Sequence, residues 1–413
     1  MSNPDQYVCA FRGRRDSYQV PISLAETNRL EAFITDIYAT PTVRSLAEIL
    51  PAPWDEKLQK RHDPRLPFDR VECLWRTTLR EWTRHALGRP ASQTYALLDV
   101  VYSEMAARRA RQTQSHLLLY TPYAWEAFTE SYSHAPKRIL FQYHPHAAFE
   151  RRILREDAAR FPQFSFDVNQ RAETGSALTN EQQRRVESVW RHADLTLCAS
   201  SFTQRTLLEA GSDSNSCVVI PYGVNLPDEL AKTQSEHVGD EETAFHALFV
   251  GSGVQRKGLH HLLLAWKQAR LPSSSHLTLV CRVIDPVLER LAHSTPQTTL
   301  RRGVSFDTLL TLYRQSALFA MPSLIEGFGQ VYLEALSQGC PVLGTSHSCL
   351  PDIGKEEDGV FMTEPGDVEM LANRLEELAT VLPKDQSFRA RARKRARSFS
   401  WDRFRTQLSD AVR

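Results

Sequence analysis

The chain has no surplus of charge of either sign, no long apolar run and no closely spaced cysteine pair, and each absence removes a class of function. In 413 residues, Lys plus Arg (50) nearly cancels Asp plus Glu (49), so no basic surface of the kind that holds nucleic acid is expected. No window approaches the roughly 18 consecutive apolar residues of a membrane-spanning helix. The opening MSNPDQYVCAFRGRRDSYQ contains no apolar core of signal-peptide length. Cysteines at 9, 73, 198, 217, 281, 340 and 349 are odd in number and scattered, with no CxxC pair. That distribution fits reduced thiols and a cytoplasmic location. No internal repeat or low-complexity tract is evident.

What is present is length and a repeating strand-helix pattern. A chain of 413 residues exceeds the size at which one core usually stops growing, so two domains are expected. From about Leu117, short apolar runs alternate with helical patterns: 116–120, 138–144, 195–200, 217–221, 246–251, 277–281, 317–322 and 341–345. Their continuous apolarity predicts parallel strands buried on both faces, hence an α/β class with two Rossmann-like sheets. Between Pro221 and Ala244 the periodic apolar signal disappears. The expected layout is therefore an N-terminal domain over 1–225, a linker over 226–243 and a second domain from 244, with a ligand cleft between the domains. The 41–116 segment reads as a helical insertion, with Val71, Leu74, Trp75, Thr78, Leu79 and Trp82 in a helical series. That stripe reads as core packing rather than a ligand platform.

Two glycine-broken stretches carry chemistry. After the run HALFVG comes GSGVQRKGLHHLLLAW, where Gly251, Gly253 and Gly258 interrupt the backbone before a helix and Arg256 and Lys257 stand at its start. Free backbone amides, a helix N-terminus and two cations favour a phosphate; a plain turn with solvated basic residues is the other reading. The second stretch, SLIEGFGQVYLEALSQG, puts Glu326 in a loop and Glu334 about one turn into the following helix, which ends at Gly339. One carboxylate would accept hydrogen bonds from one polyol and the second from another a few ångströms away, the shape of a nucleotide sugar. The alternative is a dipole-stabilising Glu326 and a surface Glu334.

Together with ADLTLCASSFTQRTLLEAG and VVIPYGVN upstream, these stretches resemble the retaining GT-B glycosyltransferases of the glycogen-synthase-like, family 4 type, over roughly 117–413. The resemblance implies two Rossmann-like domains facing across a cleft, the second over 244–398, and a final helix over 399–413 returning to the first. It implies a nucleotide-diphosphate sugar donor and a glycan, lipid-linked or small-molecule acceptor, with configuration retained and neither cofactor nor metal. By position, Lys257 would contact the diphosphate, Glu326 the sugar hydroxyls and Glu334 the ribose. Backbone amides of Phe328, Gly329 and Gln330 would reach sugar or phosphate, Gly253 would lie in the phosphate turn, and Arg282, Val283 and Val304 would hold the base. His144 at a strand end would sit near sugar and acceptor, with His146 as fallback, unless either is structural. Gly13, among Arg12, Arg14 and Arg15, would approach the phosphate or an anionic acceptor.

The sequence departs from the family at Ser252, where members commonly carry a phosphate-contacting Arg; Arg256 is expected to replace it. The basic tail QSFRARARKRARSFSW reads as a solvated helix or as a peripheral contact with anionic membrane. A non-catalytic nucleotide-sugar or glycan-binding protein on the same scaffold stands as the alternative function.

Overall fold

The computed structural model describes residues 5–40, 58, 60–88, 91–164, 166, 179–226 and 245–413. Among these, seven strands form the first sheet: β1 Tyr7–Ala10, β2 Leu30–Thr35, β3 Val71–Cys73, β4 His116–Tyr120, β5 Arg138–Gln142, β6 Leu195–Cys198 and β7 Cys217–Val219. Six form the second: β8 His246–Val250, β9 His276–Val280, β10 Thr298–Arg301, β11 Leu318–Ala320, β12 Val342–Thr345 and β13 Val360–Thr363. Every pairing is parallel. The orders are β3-β2-β1-β4-β5-β6-β7 and β10-β9-β8-β11-β12-β13. Strand order therefore reverses between β1 and β4 in one sheet and between β8 and β11 in the other. Loops leaving the carboxyl ends of strands that flank a reversal diverge to opposite faces and open a crevice. GSGVQRKG leaves β8 and SLIEGFG leaves β11.

Several strands end one or two residues before the apolar runs suggest, because the next residues leave the ladder for local work. Ser200 accepts a hydrogen bond from the Thr203 amide (3.1 Å) and caps the helix Ser201–Glu209, so β6 stops at Cys198. The segment 41–116 is not wholly helical. Val71–Cys73 pairs with Phe33–Thr35 as an edge strand, and the helix Ala91–Thr113 is the crossover from β3 to β4, with Ala106, Ala107 and Ala110 buried against β1. Residues 41–57 and the Trp82 side chain lie outside the described set, as does all but the first residue of the expected linker.

The Trp-rich stripe is only partly core: Val71 and Leu74 pack against the core, but Trp75 and Leu79 further along face outward. In the helix Trp75–Ala86, Trp75 and Leu79 are 48% and 62% exposed, while Thr78 and Glu81 are buried. Polar residues face inward here because Glu81 pairs with Arg12 and Thr78 Oγ1 donates to the Asp36 carbonyl (3.4 Å).

At its end the chain crosses back to the first sheet. The arginine-rich helix Ser387–Ala396 packs on the second half. Arg389 donates to the carbonyls of Arg314 (2.9 Å) and Ser316 (2.7 Å), Arg393 to that of Gln338 (3.4 Å) and Arg395 to that of Ile353. These three arginines satisfy carbonyls of neighbouring turns, which removes them from a membrane-docking surface. The helix Trp401–Ala411 then lies against Gln19–Glu26. Ser23 Oγ donates to the Arg405 carbonyl (2.7 Å), Arg405 reaches Gln19 Oε1 and Glu26 Oε2 (2.7 Å each), and the Tyr7 hydroxyl donates to the Val412 carbonyl (2.7 Å). Arg405→Ala is expected to destabilise the fold by about 2 kcal/mol, since it leaves the buried Gln19 Oε1 without its charged donor; denaturant unfolding measures it.

Candidate active site

The loop after β8 is built by backbone pairing rather than by flexible glycine. Gly253 donates its amide to the Val283 carbonyl (2.8 Å) and accepts from the Asp285 amide (2.8 Å). A Cβ there would stand 2.5 Å from Ile284 Cγ1. This corrects the expectation for Gly253: its amide is engaged in loop packing and is not a phosphate donor. Gln255–Lys257 forms one 3-10 turn, and Gly258, at φ 66°, starts the helix Leu259–Gln268. A Cβ on Gly258 would lie 1.9 Å from the Pro322 carbonyl oxygen. That close approach joins the two loops, as does the hydrogen bond from the Leu324 amide to the Arg256 carbonyl (2.9 Å).

The loop after β11 is fixed on its other side. Thr345 Oγ1 donates to the Ser323 carbonyl (2.6 Å), and the Glu326 amide donates to that of His347 (2.8 Å). Gly329, at φ 83°, precedes the helix Gln330–Ser337, and Gly339 follows it at φ 79°. Helices that begin after Ser200, Asp285, Ser305, Asp367 and Ser400 are capped by those side chains. The two that begin on Gly258 and Gly329 have no side-chain cap among the described residues. Apart from the Tyr332 amide, which donates to the Gly329 carbonyl (2.9 Å), their first-turn amides are free to meet an anion or hydroxyls at the reversal of the second sheet.

Glu326 occupies the junction of these loops, 7% exposed. Its Oε2 accepts from Lys257 Nζ and lies 3.3 Å from Arg256 Nη1. Burial alone would raise its pKa, but the charges of Lys257, Arg256 and His144 outweigh it and pull the carboxyl down to about 2. The group is thus a permanent anion, an acceptor of hydrogen bonds and not an acid. Arg256, expected at the phosphates, is buried with Nη1 on Glu326 and on the Ile325 carbonyl (3.3 Å), and with Nε 3.9 Å from Glu150. It buttresses the carboxylate from within, whereas Lys257 is the more accessible of the two cations.

The first sheet closes over this junction. A Cβ on Gly327 would stand 2.0 Å from the Tyr143 carbonyl oxygen and 3.0 Å from His144 Cα. Ser200 Oγ and Thr203 Oγ1 (3.2 Å) both donate to the Gly327 carbonyl. His144, two residues past β5, is therefore brought beside the Glu326 loop. His146 is not: it is buried, its amide donating to Thr206 Oγ1 (2.9 Å) and its Nε2 lying 2.9 Å from the Glu187 carbonyl. Phe328 is buried edge-on to Tyr222 (5.3 Å), and Gln330 Nε2 donates to the Gly223 carbonyl (3.3 Å). Glu334 is half-buried beside the Tyr313 hydroxyl, and burial raises its pKa. Arg282 and Val283 are exposed past β9, the neighbour of β8, and Val304 is half-buried past the edge strand β10.

Gly13 differs from expectation. At φ 86° its amide donates to Asp36 Oδ1 (3.0 Å), which also holds Arg61 (3.2 Å). The amide thus serves its own loop. Of the neighbouring arginines, Arg15 has its guanidinium 4.3 Å from the Tyr143 ring, and Asp16, which the sequence did not single out, has Oδ2 accepting from the hydroxyls of Tyr120 (2.6 Å) and Tyr222 (3.0 Å). Asp16, Ser17 and Tyr18 all hold positive φ (48°, 51° and 64°), a backbone that no sequence pattern announces.

Residues 244–380 match the family described as Glycosyl transferases group 1. The O-antigen chain mannosyltransferase B of Escherichia coli is 29% identical over 180 residues, 41% of this chain and 45% of that protein. The D-inositol 3-phosphate glycosyltransferase of Rhodococcus jostii is 26% identical over 234 residues, 55% of this chain and 47% of that one. The chain thus matches less than half the length of these curated relatives. Among solved structures, the sucrose-phosphate synthase of Thermosynechococcus elongatus is similar at TM-score 0.66 and 17% identity, over 98% of both chains. The Anabaena protein HepE in complex with UDP and glucose is similar at TM-score 0.59 and 14% identity, over 98% of this chain and 99% of that one. These likenesses show the two-sheet GT-B fold.

Proposed function

We propose that this chain, a group 1 glycosyl transferase domain paired with a second Rossmann-like sheet in a GT-B fold, is a retaining hexosyltransferase. Its donor is a nucleotide-diphosphate sugar and its acceptor a growing glycan or lipid-linked saccharide. The observation that carries this reading is the Glu326 carboxylate held ionised by Lys257 and Arg256 where two uncapped helix starts meet His144. The curated relatives named as mannosyltransferases support transfer of a hexose, and HepE with UDP and glucose supports a uridine nucleotide as its carrier.

In this reading the departing diphosphate lies against Lys257 and the first-turn amides of the helices after Gly258 and Gly329, which stabilise its growing charge. Lys257 exchanges its bond with Glu326 for one with phosphate, and the freed carboxylate accepts hydrogen bonds from sugar hydroxyls. Glu326 orients the sugar and does not attack it, so the acceptor enters on the face the diphosphate leaves and configuration is retained. His144 closes the sugar site from the other half. Glu334 receives the ribose diol, and Arg282, Val283 and Val304 border the base.

The test is nucleotide release by the purified chain from UDP-glucose, UDP-galactose and GDP-mannose, with Glu326→Gln alongside. One donor is expected to turn over, and the variant to fall about 10- to 100-fold, the worth of hydrogen bonds to a charged acceptor. The engaged Arg256 and the missing cation at Ser252 favour a second reading, a binding protein without transfer; tight nucleotide binding with no release from any donor would establish it. Arg256→Ala is expected to weaken donor affinity severalfold and to lower the unfolding midpoint, because Glu326 then loses one of two supports. Calorimetry and thermal denaturation read the two effects separately.

A further inference from the structure

Beside the donor loop, but outside the crevice, lies a buried cluster that the transfer reaction does not use. Asp157, on the helix Ala147–Arg160 of the first half, faces His260 and His261 in the first turn of the helix Leu259–Gln268 of the second. The three are 4%, 0% and 1% exposed. His260 Nε2 lies 3.0 Å from Asp157 Oδ2, and His261 Nε2 lies 2.7 Å from Oδ1. Yet His261 Nε2 is not aligned for a hydrogen bond and has no hydrogen-bond partner. Gln255 Nε2 donates to Asp157 Oδ2 (2.8 Å), and Phe161, Phe164 and Phe166 wall the His260 ring at 5.5, 5.5 and 4.9 Å.

His260 makes a hydrogen bond to Asp157, whereas the closer approach of His261 Nε2 to Oδ1 lies off the hydrogen-bond line. Among the described residues Asp157 has no Lys or Arg partner; its side chain meets the two imidazoles and the Gln255 amide. Two imidazole nitrogens and a carboxylate, which supplies a fourth donor atom when both its oxygens bind, are ligand types that a borderline divalent ion takes. Candidate ligand atoms of all three residues lie within 4.8 Å of one another, and no other such group occurs among the described residues.

We propose that Asp157, His260 and His261 form a structural site for a divalent transition-metal ion, Zn²⁺ foremost, that clamps the two halves of the molecule next to the donor loop. Gln255 stands behind Asp157 and sets its orientation, the role that outer-shell partners play at metal sites. Because His260 follows Lys257 by three residues, the ion also fixes the start of the helix that aims the donor loop. It takes no part in group transfer, and the site stands whether or not the chain transfers sugar.

The test uses the full chain, stripped with a chelator and then titrated with Co²⁺ and Zn²⁺. The expected result is uptake of one Co²⁺ per chain with visible d–d absorption, displacement of Co²⁺ by Zn²⁺, and a rise in the unfolding midpoint on Zn²⁺ addition. Gln255→Leu is expected to weaken retention about 10- to 100-fold, and His261→Gln to abolish the Co²⁺ band while circular dichroism shows the variant folded. No stoichiometric uptake by the wild-type chain, or uptake undiminished in folded His261→Gln, would overturn the proposal and leave the cluster as a hydrogen-bonded contact.

Discussion

Lys257→Ala is expected to lower kcat/KM for the donor about 100- to 1,000-fold, the usual cost of removing a preorganised group that stabilises developing charge. In the proposed reading Lys257 moves from Glu326 to the incoming diphosphate, whereas Arg256 stays on Glu326 and the Ile325 carbonyl. The substitution also acts on the fold. With the carboxyl of Glu326 at about 2 instead of its ordinary 4.5, its ionised form is favoured by the folded state. A shift of that size corresponds to about 3 kcal/mol. Because the folded pKa is depressed, this contribution is complete above about pH 4.5 and is lost as pH falls through 2. Removing Lys257 cancels part of it, so the stability gap between wild type and variant is expected to be widest near neutrality and to close below pH 3. Denaturant unfolding across pH 2 to 7 checks the sign. A gap that widens toward acid would mean that Lys257 does not hold the Glu326 charge.

Gly327→Ala is expected to abolish most turnover and to lower the unfolding midpoint. The added Cβ would meet the Tyr143 carbonyl oxygen at 2.0 Å and His144 Cα at 3.0 Å, both main-chain atoms of the opposite half that cannot swing aside as a side-chain end does. Gly327 does not hold a positive φ, so alanine fits its own loop. The conflict is relieved only by parting the halves by an ångström or more. Misplacement on that scale costs about 100-fold in rate. An active Gly327→Ala would show that the contact between the halves plays no part in turnover.

Much of the fold was legible because parallel strands buried on both faces need unbroken apolar runs, and HLLLY, HALFV and LTLV supply them. The edges were not. β10 is TTLR, with residues alternately exposed, and β3 is three half-buried residues inside what reads as a helical series. A strand with one free edge needs little apolar surface, and a three-residue strand is set by the sheet that recruits it. The inward-facing Glu81 and outward-facing Leu79 show the same limit, since an ion pair to Arg12 reverses the side that hydrophobicity would choose.

At the site, Lys257, Glu326 and the glycines around them could be read because close backbone approach demands glycine and anion binding demands cations at helix starts. Their union could not. Lys257 and Glu326 are 69 positions apart and meet because β8 and β11 are neighbours although β9 and β10 intervene in sequence. Gly13 and Gly253 show the converse. Each has the residue type that a phosphate turn wants, but its amide is already taken by Asp36 or Val283, a fact that only tertiary structure holds. Arg15 on Tyr143 and Asp16 under two tyrosine hydroxyls depend likewise on a left-handed run that composition does not reveal.

The central claim is that the loop junction of the second half is a nucleotide-diphosphate site organised by Lys257. Titration calorimetry of UDP and GDP into the wild-type chain and into Lys257→Ala tests it most directly. One nucleotide is expected to bind at a single site per chain and to bind at least about tenfold more weakly to the variant, the loss of one charge-assisted hydrogen bond. Absence of binding by either nucleotide, or equal affinity in the two proteins, would contradict it.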